Sequence, residues 1–156
     1  MKIQIDIFTG FLSSGKTTLI NEVLQRYINI EENIVIVQCE QGEKELEEDI
    51  IDRKNITVER LSKNQTIDIE YMKGIIKTYR PNRIIIEHNG MSKIEELLDM
   101  LCHREMRRYC IVNRIINVID SRQFHMLMGI VGPNLISQIS YGNINVLNYT
   151  DKISAD

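Results

Sequence analysis

Gly10-Phe11-Leu12-Ser13-Ser14-Gly15-Lys16-Thr17 stands between an apolar run at residues 3–8 and a helical pattern that begins at Thr17. The stretch fits Gly-x-x-x-x-Gly-Lys-Ser/Thr, and its setting makes it a tight turn that joins a strand to a helix. Leu19, Ile20, Val23, Leu24 and Tyr27 recur at the spacing of one helical face, so the helix has a side to bury. Inward-pointing backbone N–H groups of such a turn, with the positive end of the next helix behind them, make an anion receptor. The chemistry that follows is a polyphosphate cradled by the loop, Lys16 on the β/γ oxygens and the Thr17 hydroxyl on Mg²⁺. The bland alternative is a glycine-rich turn that binds nothing; the strand-then-helix context argues against it.

A chain of 156 residues is about one domain and can bury one substantial core. Its 43% apolar and 26% charged content is that of an ordinary soluble globular protein. A net charge of -3 leaves no electrostatic footprint for nucleic acid. Basic Arg104, Arg107 and Arg108 are balanced by Glu43, Glu45, Glu47, Glu48 and Asp49, which read as a solvated acidic helix face. With the phosphate loop starting at Gly10 there is no room for a charged segment and an apolar leader before it, and the aliphatic stretches 34–37 and 84–86 are too short for a bilayer. A cytoplasmic protein without membrane association is expected. Cys39, Cys102 and Cys110 are an odd, sparse set that fits reduced thiols better than a disulfide framework.

Short β-branched runs at 3–8, 34–38, 56–59, 83–87, 111–118 and 144–147 alternate with helical patterns. Ser92-Lys93-Ile94-Glu95 has the form of a capping box, followed by Ile94, Leu97, Leu98 and Leu101 on one face. Arg80-Pro81-Asn82 separates a helix ending near Tyr79 from the next strand. The alternation predicts an α/β fold, a three-layer sandwich with a mostly parallel sheet. Ligands of such sheets bind beyond the carboxyl ends of the strands. Those ends carry Cys39-Glu40-Gln41-Gly42-Glu43, Glu87-His88-Asn89-Gly90, Asp120, and Asn148-Tyr149-Thr150-Asp151.

In this order the segments resemble the nucleotide-binding domain of the CobW-type metal-chaperone GTPases, the CobW/HypB/UreG family with its hydrogenase and urease nickel-insertion relatives. The resemblance implies the P-loop NTPase fold, with Gly10, Ser13, Ser14, Gly15, Lys16, Thr17 and Thr18 around the phosphates. It gives Glu87 of the Glu-x-x-Gly segment the holding of Mg²⁺ through a water, and places Gly90 near the γ-phosphate. Glu40 and Glu43 match the acidic loop, where the family uses a carboxylate near the metal or the attacking water; Lys16, Glu43 and Glu87 are then the catalytic set. Ordinary solvated acids would look the same at Glu40 and Glu43. Asn148 and Asp151 match the two hydrogen-bonding positions of the guanine-reading Asn-Lys-x-Asp pattern, so GTP and GDP are the implied ligands. An Asn- and Asp-containing turn without that role remains the alternative.

Three departures qualify the resemblance. Cys39 stands where the family has asparagine, and Tyr149 where it has lysine, so that a ring could stack on guanine in place of a lysine stem. The family's Cys-x-Cys-Cys metal motif is replaced by Leu61-Ser62-Lys63-Asn64-Gln65-Thr66, with no soft ligand. Cys102-His103 and Cys110 do not have the spacing to replace it; the two cysteines read as partly buried structural thiols, and His88 and His125 as single structural histidines. The sequence given ends at Asp156, soon after the base motif, where family members continue with a helix, a strand and often a further domain. One P-loop domain over residues 1–156 is therefore expected, without those parts.

The leading expectation is a Mg²⁺-dependent GTP-binding protein, slow as a GTPase because no residue is an evident general base, that serves metal or cofactor insertion into a partner metalloprotein. Relatives often pair around nucleotide, which makes a homodimer a further implied assembly. A nucleotide-binding regulatory module with little hydrolysis, and a P-loop ATPase or small-molecule kinase, are the alternatives; Asn148 and Asp151 argue against the last.

Overall fold

A computed structural model describes residues 2–27, 31–40, 44–62 and 65–153. Among them six strands form one sheet, β1 (Ile3–Thr9), β2 (Ile34–Gln38), β3 (Ile56–Arg60), β4 (Arg83–Glu87), β5 (Cys110–Asp120) and β6 (Ile144–Asn148). Every pairing between neighbours is parallel, in the order β3-β2-β4-β1-β5-β6. The expected strands are all present, each within two residues of its sequence-read bounds, and the sheet is wholly rather than mostly parallel. β2 is buried at every position and β4 at all but its first, as required of strands covered on both faces.

The helices are α1 (Lys16–Tyr27), α2 (Glu48–Ile51), α3 (Ile69–Tyr79), α4 (Ile94–Cys102) and α5 (Phe124–Tyr141). Side chains alternate between two apolar clusters across the sheet. Ile5, Ile7, Val35, Val37, Ile84 and Ile86 meet α3 and α4 through Met72, Ile75, Ile94, Leu97 and Leu101. Phe8, Ile34, Ile36 and Ile85 meet Ile20 and Leu24 of α1 and Leu46 and Ile50 around α2. The helical face read at 19–24 is thus the core face, with Ile20 and Leu24 fully buried and Leu19 and Val23 packed at its margin.

Two local expectations are corrected. The capping box at Ser92 does not form: Lys93 occupies the N-cap without a side-chain bond, and the Ser92 N–H is already given to the Asn89 carbonyl. Asn89 makes that turn by accepting from Met91 N–H at 2.9 Å, so the chain is committed to a turn before the helix can be capped. The acidic stretch is not one helix face either. Only Glu48 and Asp49 of its described members lie in α2, and Leu46 and Ile50 turn the segment into the core.

At the other end of α3, Arg80 takes the left-handed conformation (φ 47) and Pro81 follows, the stop that the sequence announces. Among the described residues no helix is long and apolar enough to cross a membrane.

β1 connects leftward through α1 to β2, and β4 connects rightward through α4 to β5, so the chain reverses direction between the adjacent strands β1 and β4. A crevice opens beyond the carboxyl ends at such a switch point. The loop after β1 and the segment after β4 meet there.

Candidate nucleotide site

The loop at 10–17 closes on its own lysine. Lys16 Nζ donates to the carbonyls of Gly10 at 2.7 Å and Phe11 at 3.0 Å, and pairs with the Glu40 carboxylate from the loop after β2. Three acceptors use the three N–H bonds of the ammonium, which is how a lysine 4% exposed is satisfied. Ser13 takes φ 61 and Gly15 φ 105 to bend the backbone around it. Glycine is called for at 15 because φ 105 strains any residue with a side chain, and a Cβ there would also lie 2.4 Å from the amide nitrogen of Asn148.

Thr17 Oγ1 donates to Glu87 Oε1 at 2.5 Å, and Gln38 Nε2 donates to Glu87 Oε2 at 2.7 Å. A carboxylate 2% exposed at the end of β4 is thus held from α1 and from β2. The hydroxyl and carboxylate oxygens that meet here are the hard donors a Mg²⁺ ion takes, so the residues present fit that ion. Leu12, Ser13, Gly15, Lys16, Thr17, Thr18, Glu40, Lys44, Glu87 and Tyr149 line one cleft.

Gly90 sits against the start of the loop. A Cβ there would be 2.2 Å from the Gly10 carbonyl oxygen and 2.7 Å from Phe11 N, both backbone atoms that cannot rotate away. Its own carbonyl accepts from Asn134 Nδ2 at 2.9 Å and Gln138 Nε2 at 2.7 Å, both on α5. On the far side, Asn148 Nδ2 donates to Ser14 O at 2.9 Å, and Asn148 Oδ1 accepts from Tyr149 N at 2.9 Å. The end of β6 is thereby fastened to the loop after β1.

Two groups beside Glu87 are held neutral. Burial, helped by the nearby Lys16 charge, pushes the His88 pKa down to about 4, and its Nδ1 lies 3.2 Å from Thr9 Oγ1. Burial pushes the Cys39 thiol up to about 12 against the Asn89 backbone hydrogen bond, with Glu87 adding to the rise.

A profile described as the CobW/HypB/UreG nucleotide-binding domain matches residues 4–156. The chain belongs to this family. Among solved structures, the CobW/HypB/UreG chain aligns with a Zn(II)-bound triple mutant of the YjiA GTPase at TM-score 0.72 and 20% identity, over 99% of this chain and 52% of that one. It therefore spans about half the length of that structure. A hydrogenase maturation factor, HypB from Archaeoglobus fulgidus, aligns at TM-score 0.46 and 17% identity over 94% of this chain and 79% of that one. At 20% identity the YjiA likeness is one of fold, the α/β P-loop architecture. No curated protein matches in sequence.

In this CobW/HypB/UreG domain the structure brings Gly10, Ser13, Ser14, Gly15, Lys16, Thr17, Thr18, Glu87, Gly90 and Asn148 to one crevice. Asp151 is exposed on the short turn Thr150–Lys152 and does not line the cleft. Glu43, with Gln41 and Gly42, lies outside the described residues, as do Lys63 and Asn64. Cys110 is buried as expected, whereas Cys102 is exposed, a correction: it ends α4 beyond the last core residue, Leu101. His88 is a buried structural histidine and His125 an exposed one. Gln38 was reachable in principle as the residue that closes β2, but the amides of Asn134 and Gln138 carry no local signal; their partner lies more than forty residues away.

Proposed function

We propose that this chain is a Mg²⁺-dependent guanine-nucleotide-binding domain that hydrolyses GTP slowly and whose nucleotide state sets its contact with a metalloprotein or cofactor-maturation partner in the cytoplasm. The observation that carries the reading is Lys16 turned into its own loop while Thr17 and Glu87 meet at the loop's mouth. Phosphate oxygens would take the place of the Glu40 carboxylate on Lys16, one anion for another. Backbone N–H groups from Ser13 to Thr18 would cradle the α- and β-phosphates, and Gly90 would lie close to the γ-phosphate.

Thr17 and Glu87 would hold Mg²⁺, which when bound neutralises charge on the transferring phosphoryl group. Lys16 and the loop N–H groups stabilise the charge that develops as water attacks in line. Glu43 is the carboxylate we assign beside that water. Asn148 braces the loop, and Asp151 accepts from the guanine ring N–H and amine, a pairing that adenine would leave unmet. The domain is taken as one unit over residues 1–156, with a homodimer as the assembly in which to look for activity.

A titration series with GDP, a GTP analogue, ADP and an ATP analogue, with and without Mg²⁺, tests base and metal together, and phosphate release tests turnover. Guanine preference, tighter binding with Mg²⁺ and slow release of phosphate are expected. A protein that binds the adenine nucleotides as well as the guanine ones removes the guanine assignment, and one that binds none removes the reading. The sequence Leu61-Ser62-Lys63-Asn64-Gln65-Thr66, with no thiolate, favours a second reading, a nucleotide-responsive module without metal cargo. Binding without phosphate release, with a partner present as well as absent, selects it.

A further inference from the structure

Beyond the phosphate loop, the neighbouring ends of β5 and β6 carry a cation, Arg122, and a ring, Tyr149, that the hydrolysis described above leaves without a role. Arg122 Nε and Nη2 donate to the two oxygens of Asp120 at 3.0 Å and 2.7 Å, and Arg122 N donates to Oδ1 at 3.0 Å. Gln123 Nε2 adds a bond to Oδ2 at 3.2 Å. Asp120 is 3% exposed, so this two-pronged clamp fixes the guanidinium on a buried anchor. The clamped guanidinium carbon lies 3.8 Å from the centroid of the Tyr149 ring. Lys152 Nζ lies farther off, at 5.4 Å from the same centroid.

Tyr149 holds a left-handed backbone conformation (φ 60, ψ 28), uncommon for a residue with a side chain. Asn148 maintains it by accepting from Tyr149 N while tying itself to Ser14 O. The ring is thus fastened to the phosphate loop through its own backbone and to β5 through Arg122. It lines the same cleft as Ser13, Gly15 and Thr18.

We infer that Arg122, anchored on Asp120, is a positioning residue that holds Tyr149 as a stacking platform for the nucleobase of the bound nucleotide. The inference rests on the nucleotide reading above. A cation over one face of an aromatic ring is attracted by its quadrupole and fixes the ring's tilt. A purine laid on the ring gains stacking energy without a hydrogen-bond code, since every base has a π-face. Arg122 touches no part of the nucleotide; it acts through Tyr149.

The test is titration calorimetry of the full chain with GDP, ADP and inorganic pyrophosphate. Arg122→Met is expected to weaken GDP and ADP alike by about threefold to tenfold, with pyrophosphate unchanged within about twofold. Arg122→Lys restores most of the loss. Tyr149→Ala weakens GDP by about tenfold or more, and adding Arg122→Met to it changes nothing further. Lys152→Ala leaves GDP within about twofold, which separates the platform from simple loss of charge. Equal loss of GDP and pyrophosphate affinity in Arg122→Met, or additive effects in the double variant, overturns the inference. Wild-type protein that binds pyrophosphate as tightly as GDP overturns the platform and leaves the phosphate loop standing; wild-type protein that binds neither overturns the nucleotide reading itself.

Discussion

Replacing Gly90 by alanine puts one methyl group into the tightest approach in the site. The new Cβ would lie 2.2 Å from the Gly10 carbonyl oxygen and 2.4 Å from the Gly10 carbonyl carbon, whereas ordinary contact begins at 3.4 Å, so one backbone segment must retreat by about 1 Å. Neither can do so freely. The Gly90 carbonyl is held by Asn134 and Gln138, each bond worth about 1 kcal/mol, and Gly10 carries one of the three acceptors of Lys16. Overpacking of this kind costs roughly 1–3 kcal/mol, which for a domain of this size lowers Tm by about 3–10 °C. The same displacement in the phosphate cradle is expected to weaken GDP by on the order of a hundredfold.

Thermal denaturation and titration of Gly90→Ala check both effects, and Gly74→Ala is the control. Gly74 lies exposed in α3 with no atom within 4 Å of an added Cβ, so alanine there should stabilise by about 0.5–1 kcal/mol. Unchanged Tm and unchanged affinity in Gly90→Ala would refute the packing of the 87–90 segment against the loop.

Lys16→Met keeps the stem and removes the ammonium; loss of two charged hydrogen bonds, on the order of 3 kcal/mol, predicts about a hundredfold weaker GDP binding by calorimetry. Thiol labelling of the native protein at pH 8 should show one fast cysteine, the exposed Cys102, with Cys110 slow through burial and Cys39 slow because its pKa of about 12 leaves little thiolate; Cys102→Ser removes the fast phase. His88 is held neutral with its pKa near 4, while the unfolded chain binds a proton near 6.5, so its share of stability is present above pH 6.5 and is lost as pH falls toward 4. Denaturant unfolding in metal-free buffer should show about 2 kcal/mol lost between pH 7 and pH 5 on this account, and His88→Asn should flatten that part of the profile.

The centre of the sheet was legible because β2 and β4 are buried on both faces and read as unbroken aliphatic runs; Ile34-Val35-Ile36-Val37 and Ile84-Ile85-Ile86 leave few other readings. The phosphate loop was legible for a different reason: a backbone cradle fixes residue types at fixed spacing, so local chemistry suffices to find it. What escaped depends on chain segments distant in sequence. Gln38 meets Glu87 across 49 residues, and Arg122 meets Tyr149 only because β5 and β6 end side by side. Ser92 failed as a cap because a competing local bond, to Asn89, forms one turn earlier, which spacing alone cannot rank.

A crystal structure of the protein with GDP and Mg²⁺ tests the central claim most directly. The β-phosphate is expected inside the loop from Gly10 to Thr17, with Lys16 turned from Glu40 onto its oxygens. A diphosphate bound elsewhere while the Lys16–Glu40 pair stays intact would contradict it.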